Sequence, residues 1–137
     1  MGSTKGGCLC GGVTYEVSGE PMFAVHCACE NCQKGTGGGH SSIAAFPDAS
    51  LKASGKLTSH AARGDSGQET TYQFCPKCGS RLFIRVATLP NTVLVALGTM
   101  EAAANIKPSM FIYGKRRRAW YHVDPAVPIF PEMPPRS

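Results

Sequence analysis

Residues 74–80 read FCPKCGS, and the reading of this stretch decides the fold. Cys75 and Cys78 with Pro76 and Lys77 between them form a zinc-knuckle pattern: a tight turn brings two thiolates together, and Gly79 gives the backbone room to fold back under them. Two thiolates fill half of a tetrahedral shell, so a second half-site must come from elsewhere in the chain. The 137 residues contain seven cysteines in three groups: Cys8 and Cys10 in CLC, Cys27, Cys29 and Cys32 in CACENC, and the knuckle pair. In an extended segment residues i and i+2 face the same way, so Cys8 with Cys10, and Cys27 with Cys29, each aim two sulfurs at one point. Cys8, Cys10, Cys75 and Cys78 then make a closed four-thiolate site of structural type. It would tie the N-terminal region to the middle of the chain.

Three thiolates remain. Cys27, Cys29 and Cys32 can hold a second zinc but leave its fourth position open, as a catalytic or ligand-binding site requires. The alternatives for this group are three reduced, buried thiols without metal, or one transient disulfide beside a spare thiol. An odd cysteine count excludes a complete disulfide framework. No run has the length of a membrane span and no signal core follows Met1, so the expected location is the cytoplasm, where clustered thiols stay reduced. Seven ionised thiols against two divalent ions would remove three of the five formal positive charges, so most of the net charge offsets the clusters themselves.

The rest of the chain reads as one mainly β domain over residues 1–137. GVTYEVSG, MFAVHCA, SSIAAFP, TTYQFCP, SRLFIRVA, NTVLVALG and SMFIYGK are short β-rich runs bounded by turn formers, with 16 Gly and 10 Pro available for the turns. Helix is expected only as a short turn in GTMEAAANI. The proline-rich tail over residues 124–137 should lie on the surface as an extended strap.

GGCLCGGVTYEV, HCACENCQKGTG and FCPKCGSRLF, in this order and spacing, resemble the glutathione-dependent formaldehyde-activating enzyme family, which also includes the zinc domain of centromere protein V. The resemblance implies a β-tent of small antiparallel sheets around a structural zinc on Cys8, Cys10, Cys75 and Cys78. It further implies a second, labile zinc at Cys27, Cys29 and Cys32, the catalytic set, which meets glutathione. The family reaction joins glutathione and formaldehyde into S-(hydroxymethyl)glutathione and is classed as a carbon–sulfur lyase. The chain departs from the family in PSMFI, where Phe111 stands at a position that commonly holds histidine, and in KRRRAW, where Ala119 replaces proline before Trp120.

Glutathione's carboxylates need cationic donors. Lys34 is the nearest in sequence, the run Lys115–Arg118 is more distant, and Lys34 and Trp120 are the candidate substrate-binding residues. Read as a strand, the basic run would put at most half its charge on one face. His26 should point away from Cys27 and pack or buttress rather than ligate, while His40, His60 and His122 lack partners at ligand spacing and read as surface or core residues. GTGGG reads as a flexible loop, not a phosphate cradle. A nucleoside deaminase is disfavoured, because HCA lacks the His-x-Glu element and FCPKC lacks a proline before its first cysteine. The expected partners are glutathione or another small thiol plus an aldehyde, with no nucleic acid and no membrane. The competing class is a non-catalytic zinc module that binds a protein or nucleic-acid partner.

Overall fold

The computed structural model describes residues 2–65, 67–101 and 104–134. All seven expected β-runs contain strands, and three more join them. In chain order these are β1 (Ser3–Gly7), β2 (Thr14–Ser18), β3 (Phe23–Cys27), β4 (Ser41–Pro47), β5 (Leu51–Ser54), β6 (Thr58–Arg63), β7 (Glu69–Phe74), β8 (Arg81–Val86), β9 (Thr92–Ala96) and β10 (Met110–Ile112). An α-helix, α1 (Glu30–Thr36), follows β3, and short 3-10 turns lie at Asp48–Ser50, Leu97–Thr99 and Gly114–Arg116. The helical turn expected in the alanine run falls partly on Ala102 and Ala103, outside the described residues. No helix is long and apolar enough to cross a membrane among the described residues.

The strands form a three-stranded sheet, β1-β2-β5, and a seven-stranded sheet, β10-β3-β4-β9-β8-β7-β6. Pairing is antiparallel except at one edge, where β10 runs parallel to β3. The larger sheet has two different faces because strand side chains alternate. On one face Ala44, Phe46, Val93, Val95 and Phe83 pack against Tyr15 and Val17 of the small sheet and Val13 of the turn that leads into it. Tyr15 meets Phe83 edge-on at 5.2 Å and its hydroxyl lies 2.8 Å from Thr99 Oγ1. Phe46 and Phe83 are fully buried, and each such side chain stabilises the fold by about 1.5–3 kcal/mol. The opposite face carries Val25, Ile43, Ile84, Leu94 and Ile112, and there the Cys27, Cys29 and Cys32 side chains gather.

Three sequence readings of local structure are corrected. CLC is not extended: Cys8–Val13 is the turn between β1 and β2, closed by Gly11 N–H donating to Cys8 O at 3.1 Å and Cys8 N–H donating to Val13 O at 3.0 Å. Lys115–Arg118 is not a strand either, since Gly114–Arg116 is a 3-10 turn. Tyr113, with a φ of 56°, turns the chain there. The tail is not extended throughout: Asp124 to Val127 is a turn, in which Val127 N–H donates to Asp124 O at 3.0 Å. Phe111 N–H donates to Pro128 O at 2.9 Å and Phe130 N–H to Phe111 O at 2.8 Å, so the tail lies along the outer edge of β10.

Candidate metal centres and the cavity beside them

The first centre joins two hairpin turns, one from each sheet. Cys8 and Cys10 lie in the β1–β2 turn, and Cys75 and Cys78 in the β7–β8 turn. Gly79 has a φ of 79° and its N–H donates to Cys75 O at 2.9 Å, which is the fold-back expected of the knuckle. The four sulfurs lie within 4.8 Å of one another, with Cys8–Cys10 at 3.6 Å and Cys10–Cys75 at 3.7 Å. Thiolates about 2.3 Å from a tetrahedral zinc stand about 3.8 Å apart, so the spacing fits that ion and is far too long for disulfides. Donors already surround the sulfurs. Val13 N–H reaches Cys8 Sγ at 3.2 Å and Gly12 N–H reaches Cys10 Sγ at 3.4 Å. The Ser80 hydroxyl and backbone N–H hold the Cys78 thiol down at about 5. Such donors suit thiolates, the form that binds metal.

The second centre lies on the other face of the large sheet. Cys27 ends β3, Cys29 is the N-cap of α1 and Cys32 lies in its first turn, so a strand end and one helical turn, not an extended segment, bring the three together. Their sulfurs lie within 4.8 Å of one another and all three residues are buried. Cys29 is pulled down to about 3, first by hydrogen bonds from Cys27 and Cys32 and then by the N–H groups of Cys32 and Asn31. Cys27 is pushed far up, because its proton is held between Cys29 and Cys32. Cys32, despite a donor in Cys27, is pushed up to about 12 by Cys29 and by burial. The three thiols thus oppose one another's ionisation, and a bound cation would offset the charge of more than one thiolate. Ser41 Oγ is buried without a hydrogen bond of ordinary geometry and lies where it lowers Cys32, a donor held ready for a second thiolate. The donor set therefore fits a divalent, thiophilic ion.

The three cysteines line a cavity of about 250 Å³. Its wall is mainly apolar, with Tyr72 among the cysteines' neighbours and Asp65 nearer the surface. Burial pushes Tyr72 up to about 12, and ionisation of Cys32 or Cys29 beside it acts in the same direction. The Arg81 guanidinium stacks on the Tyr72 ring 3.8 Å from its centroid. It occupies the space that a side chain at Gly35 would need, since a Cβ there would fall 1.7 Å from Arg81 Nη1. Sequence reasoning missed Tyr72, although the alternation in TTYQF sets it on the opposite face from Thr71 and Gln73.

A different side of α1 borders a second, cationic cavity lined by Glu30, Gln33, Lys34, Lys115, Arg116 and Arg118. The 3-10 turn is the reason that three residues of the basic run share one cavity, where a strand would have split them. Buried Gln33 fixes this wall: its Nε2 donates to Ala28 O at 2.7 Å and Arg116 O at 2.8 Å, and Arg118 Nε donates to its Oε1 at 2.7 Å. Arg116 Nε also pairs with Asp65 at 2.7 Å, so an ion pair links the linings of the two cavities.

Against this geometry, the family described as glutathione-dependent formaldehyde-activating enzyme matches residues 3–116. The chain belongs to that family. A Rhodobacter sphaeroides protein of known crystal structure, a Northeast Structural Genomics target, is similar in fold: the TM-score is 0.57 at 22% identity, covering 76% of this chain and 91% of that one. A search of curated proteins returned no significant match.

Phe111 pairs in register with His26, and Ile112 with Cys27. Phe111 therefore faces away from the cysteine cavity, which Ile112 lines. It is fully buried among His26, His40 and Tyr121, each with ring centroid 5.9 Å from its own. His26 and His40 meet edge-on at 4.9 Å, and His26 Nδ1 lies 2.8 Å from Ser42 Oγ. Trp120 is exposed against Tyr121 on this same side and lines neither cavity, whereas Lys34 lines the cationic one.

Burial holds both histidines below their ordinary value of 6.5, with His40 adding to the effect on His26. As pH falls, the unfolded chain takes up protons first, so stability present above pH 6.5 is lost as pH drops toward the lower folded values. His40→Phe, which keeps an aromatic ring but cannot titrate, should flatten the fall in melting temperature between about pH 7.5 and 5.5. Parallel curves for the two proteins would show that His40 does not carry this dependence.

Proposed function

We propose that this chain is a zinc-dependent enzyme of carbon–sulfur lyase type that acts on glutathione–aldehyde adducts, of which S-(hydroxymethyl)glutathione is the simplest. The observation that carries the reading is the convergence of three buried thiols on a cavity, with a cationic cavity beside the same helix. The family description supports the same substrate pair. In this reading the chain is a single cytoplasmic zinc-binding domain. Cys8, Cys10, Cys75 and Cys78 hold a structural ion, and Cys27, Cys29 and Cys32 hold a second, more labile one.

When bound at the second centre, zinc supplies a Lewis acid that lowers the pKa of an incoming thiol. The protein's own residues do the rest. Lys34, Lys115 and Arg116 are each paired with a carboxylate, those of Glu30, Glu132 and Asp65, so the one net positive charge of this group is that of Arg118, which leads in binding glutathione's carboxylates. Arg116 and Arg118 each use Nε on Asp65 or Gln33, and a guanidinium carries further donors on its Nη atoms. Sulfur adds to the aldehyde carbon, the carbonyl π bond breaks, and the oxygen takes up a proton to replace the one the thiol gave up. Tyr72 keeps its proton at neutral pH and donates a hydrogen bond to that oxygen as it becomes negative. Phe111 does not bear on this chemistry, because a histidine there would face His26 and His40 and not the cavity.

Glutathione should shield Cys27, Cys29 and Cys32 from alkylation, read by peptide mass spectrometry, while an analogue with serine in place of its cysteine should not. Equal alkylation in both cases, with no adduct on these cysteines, would favour the non-catalytic zinc module instead.

A further inference from the structure

Formaldehyde does not need the cavity that this protein has built. A one-carbon aldehyde has two heavy atoms and occupies the space of one or two waters, on the order of 30–60 Å³. The cavity at Cys27, Cys29 and Cys32 holds about 250 Å³. Its inner wall is Val25, Ile43, Ile84, Leu94 and Ile112, contributed by β3, β4, β8, β9 and β10, and each of these residues is at most 8% exposed. Phe23, Thr88 and Met133, all exposed, stand at its mouth. An apolar cavity of about 150 Å³ already accepts a benzene ring. An interior of this kind, in contact with three thiols, is a binding site for something apolar that reacts with sulfur.

Glutathione does not supply the apolar part. Its flanks are peptide groups, an ammonium and two carboxylates, whose desolvation against isoleucine and leucine would go uncompensated. The cationic cavity across α1 suits them instead. The other reactant must therefore fill the apolar space. Resting on the reading of the three cysteines as the place where thiol and aldehyde meet, we infer that the aldehyde carries an aliphatic chain of about five to seven carbons, seated between Val25, Ile43, Ile84, Leu94 and Ile112. The bond changes are those of the simpler reaction: a C–S bond forms, the carbonyl π bond breaks, and the proton given up by the thiol is balanced by one gained at oxygen. The product is an S-(1-hydroxyalkyl)glutathione, and no oxidant or reductant takes part.

Two measurements on the zinc-loaded, full-length protein test this. The first is kcat/KM for glutathione addition to straight-chain aldehydes from propanal to octanal, a series of nearly constant electrophilicity. The second, independent of turnover, is the calorimetric affinity for the corresponding primary alcohols. Both should rise about fourfold per methylene and level off when the cavity is full. Ile84→Phe, which thickens the wall, should bring the plateau to a shorter chain. That variant is interpreted only if it melts normally, and the wild-type series stands without it. Alcohol affinity that is flat with chain length, in protein whose cysteines glutathione still shields, would overturn the chain inference and leave the glutathione reading intact. If glutathione gives no shielding and no aldehyde turns over, both fall, even if the alcohols bind.

Discussion

Cys8→Ser and Cys78→Ser should each give protein that does not reach the folded state at neutral pH. A metal held at the four-cysteine centre would clamp the β1–β2 turn to the β7–β8 turn, and these belong to different sheets. Around it Val13 of the turn and Tyr15 and Val17 of the small sheet are buried against the large one. A structural zinc contributes about 10–16 kcal/mol of apparent binding free energy, the same size as the whole stability of a typical domain, about 5–15 kcal/mol. A serine hydroxyl is a weak zinc ligand, and a three-thiolate remnant loses much of that contribution. Direct hydrogen bonds between the turns are small by comparison: Leu9 N–H donates to Ser80 Oγ at 3.0 Å, worth about 1 kcal/mol, and the Cys10 N–H reaches Cys78. Circular-dichroism melts with metal analysis of the same samples provide the check. Soluble variants at both positions with wild-type melting would show that metal at this centre does not hold the sheets together.

The partition of seven cysteines into four and three was legible because it depends on spacing, which any backbone preserves. How the backbone achieves it was not. Cys8 with Cys10, and Cys27 with Cys29, were read as extended pairs, yet a hairpin turn and a helix N-terminus do the work. α1 was invisible in ENCQKGT because Asn31, Gly35 and Thr36 are poor helix formers. The helix is held instead by tertiary contacts that sequence does not display: Gln33 bonded to Arg116 O, and Arg81 lying against Gly35. Seven strands announced themselves through β-branched and aromatic runs. β1, β5 and β6 did not, since STKGG, LKAS and TSHAAR have little apolar alternation and gain their order from pairing with stronger neighbours.

The basic run shows the same limit in the site itself. Read as a strand, its charges should divide between two faces; the turn at Tyr113 gathers Lys115, Arg116 and Arg118 around one cavity. His40, which had no partner at ligand spacing, belongs to a ring cluster assembled from β3, β10 and the segment at Tyr121, contacts distant in sequence. That cluster also gives the Phe111 departure a neighbourhood in which an aromatic ring packs as well as an imidazole.

Cys29→Ala should abolish turnover while leaving the fold standing, the reverse of the effect at Cys8. Cys29 is the residue at which the second centre's negative charge collects, held at about 3 by the thiols of Cys27 and Cys32 and by the first-turn N–H groups. Without it two thiols remain, and the charge that would hold a cation there is lost. Lewis-acid stabilisation by a metal is worth several kcal/mol, so kcat/KM should fall on the order of 10³-fold. Stability should change far less. Cys29 caps a seven-residue helix and makes no tie between the sheets, so the expected loss is about 1 kcal/mol, a shift of a few degrees in melting temperature. Metal analysis completes the test: one ion per chain should remain, with the folded protein, and one should go, with the activity. An active variant would move the chemistry away from these three thiols. A variant that unfolds with loss of both ions would show that the second centre, like the first, is part of what holds the chain together.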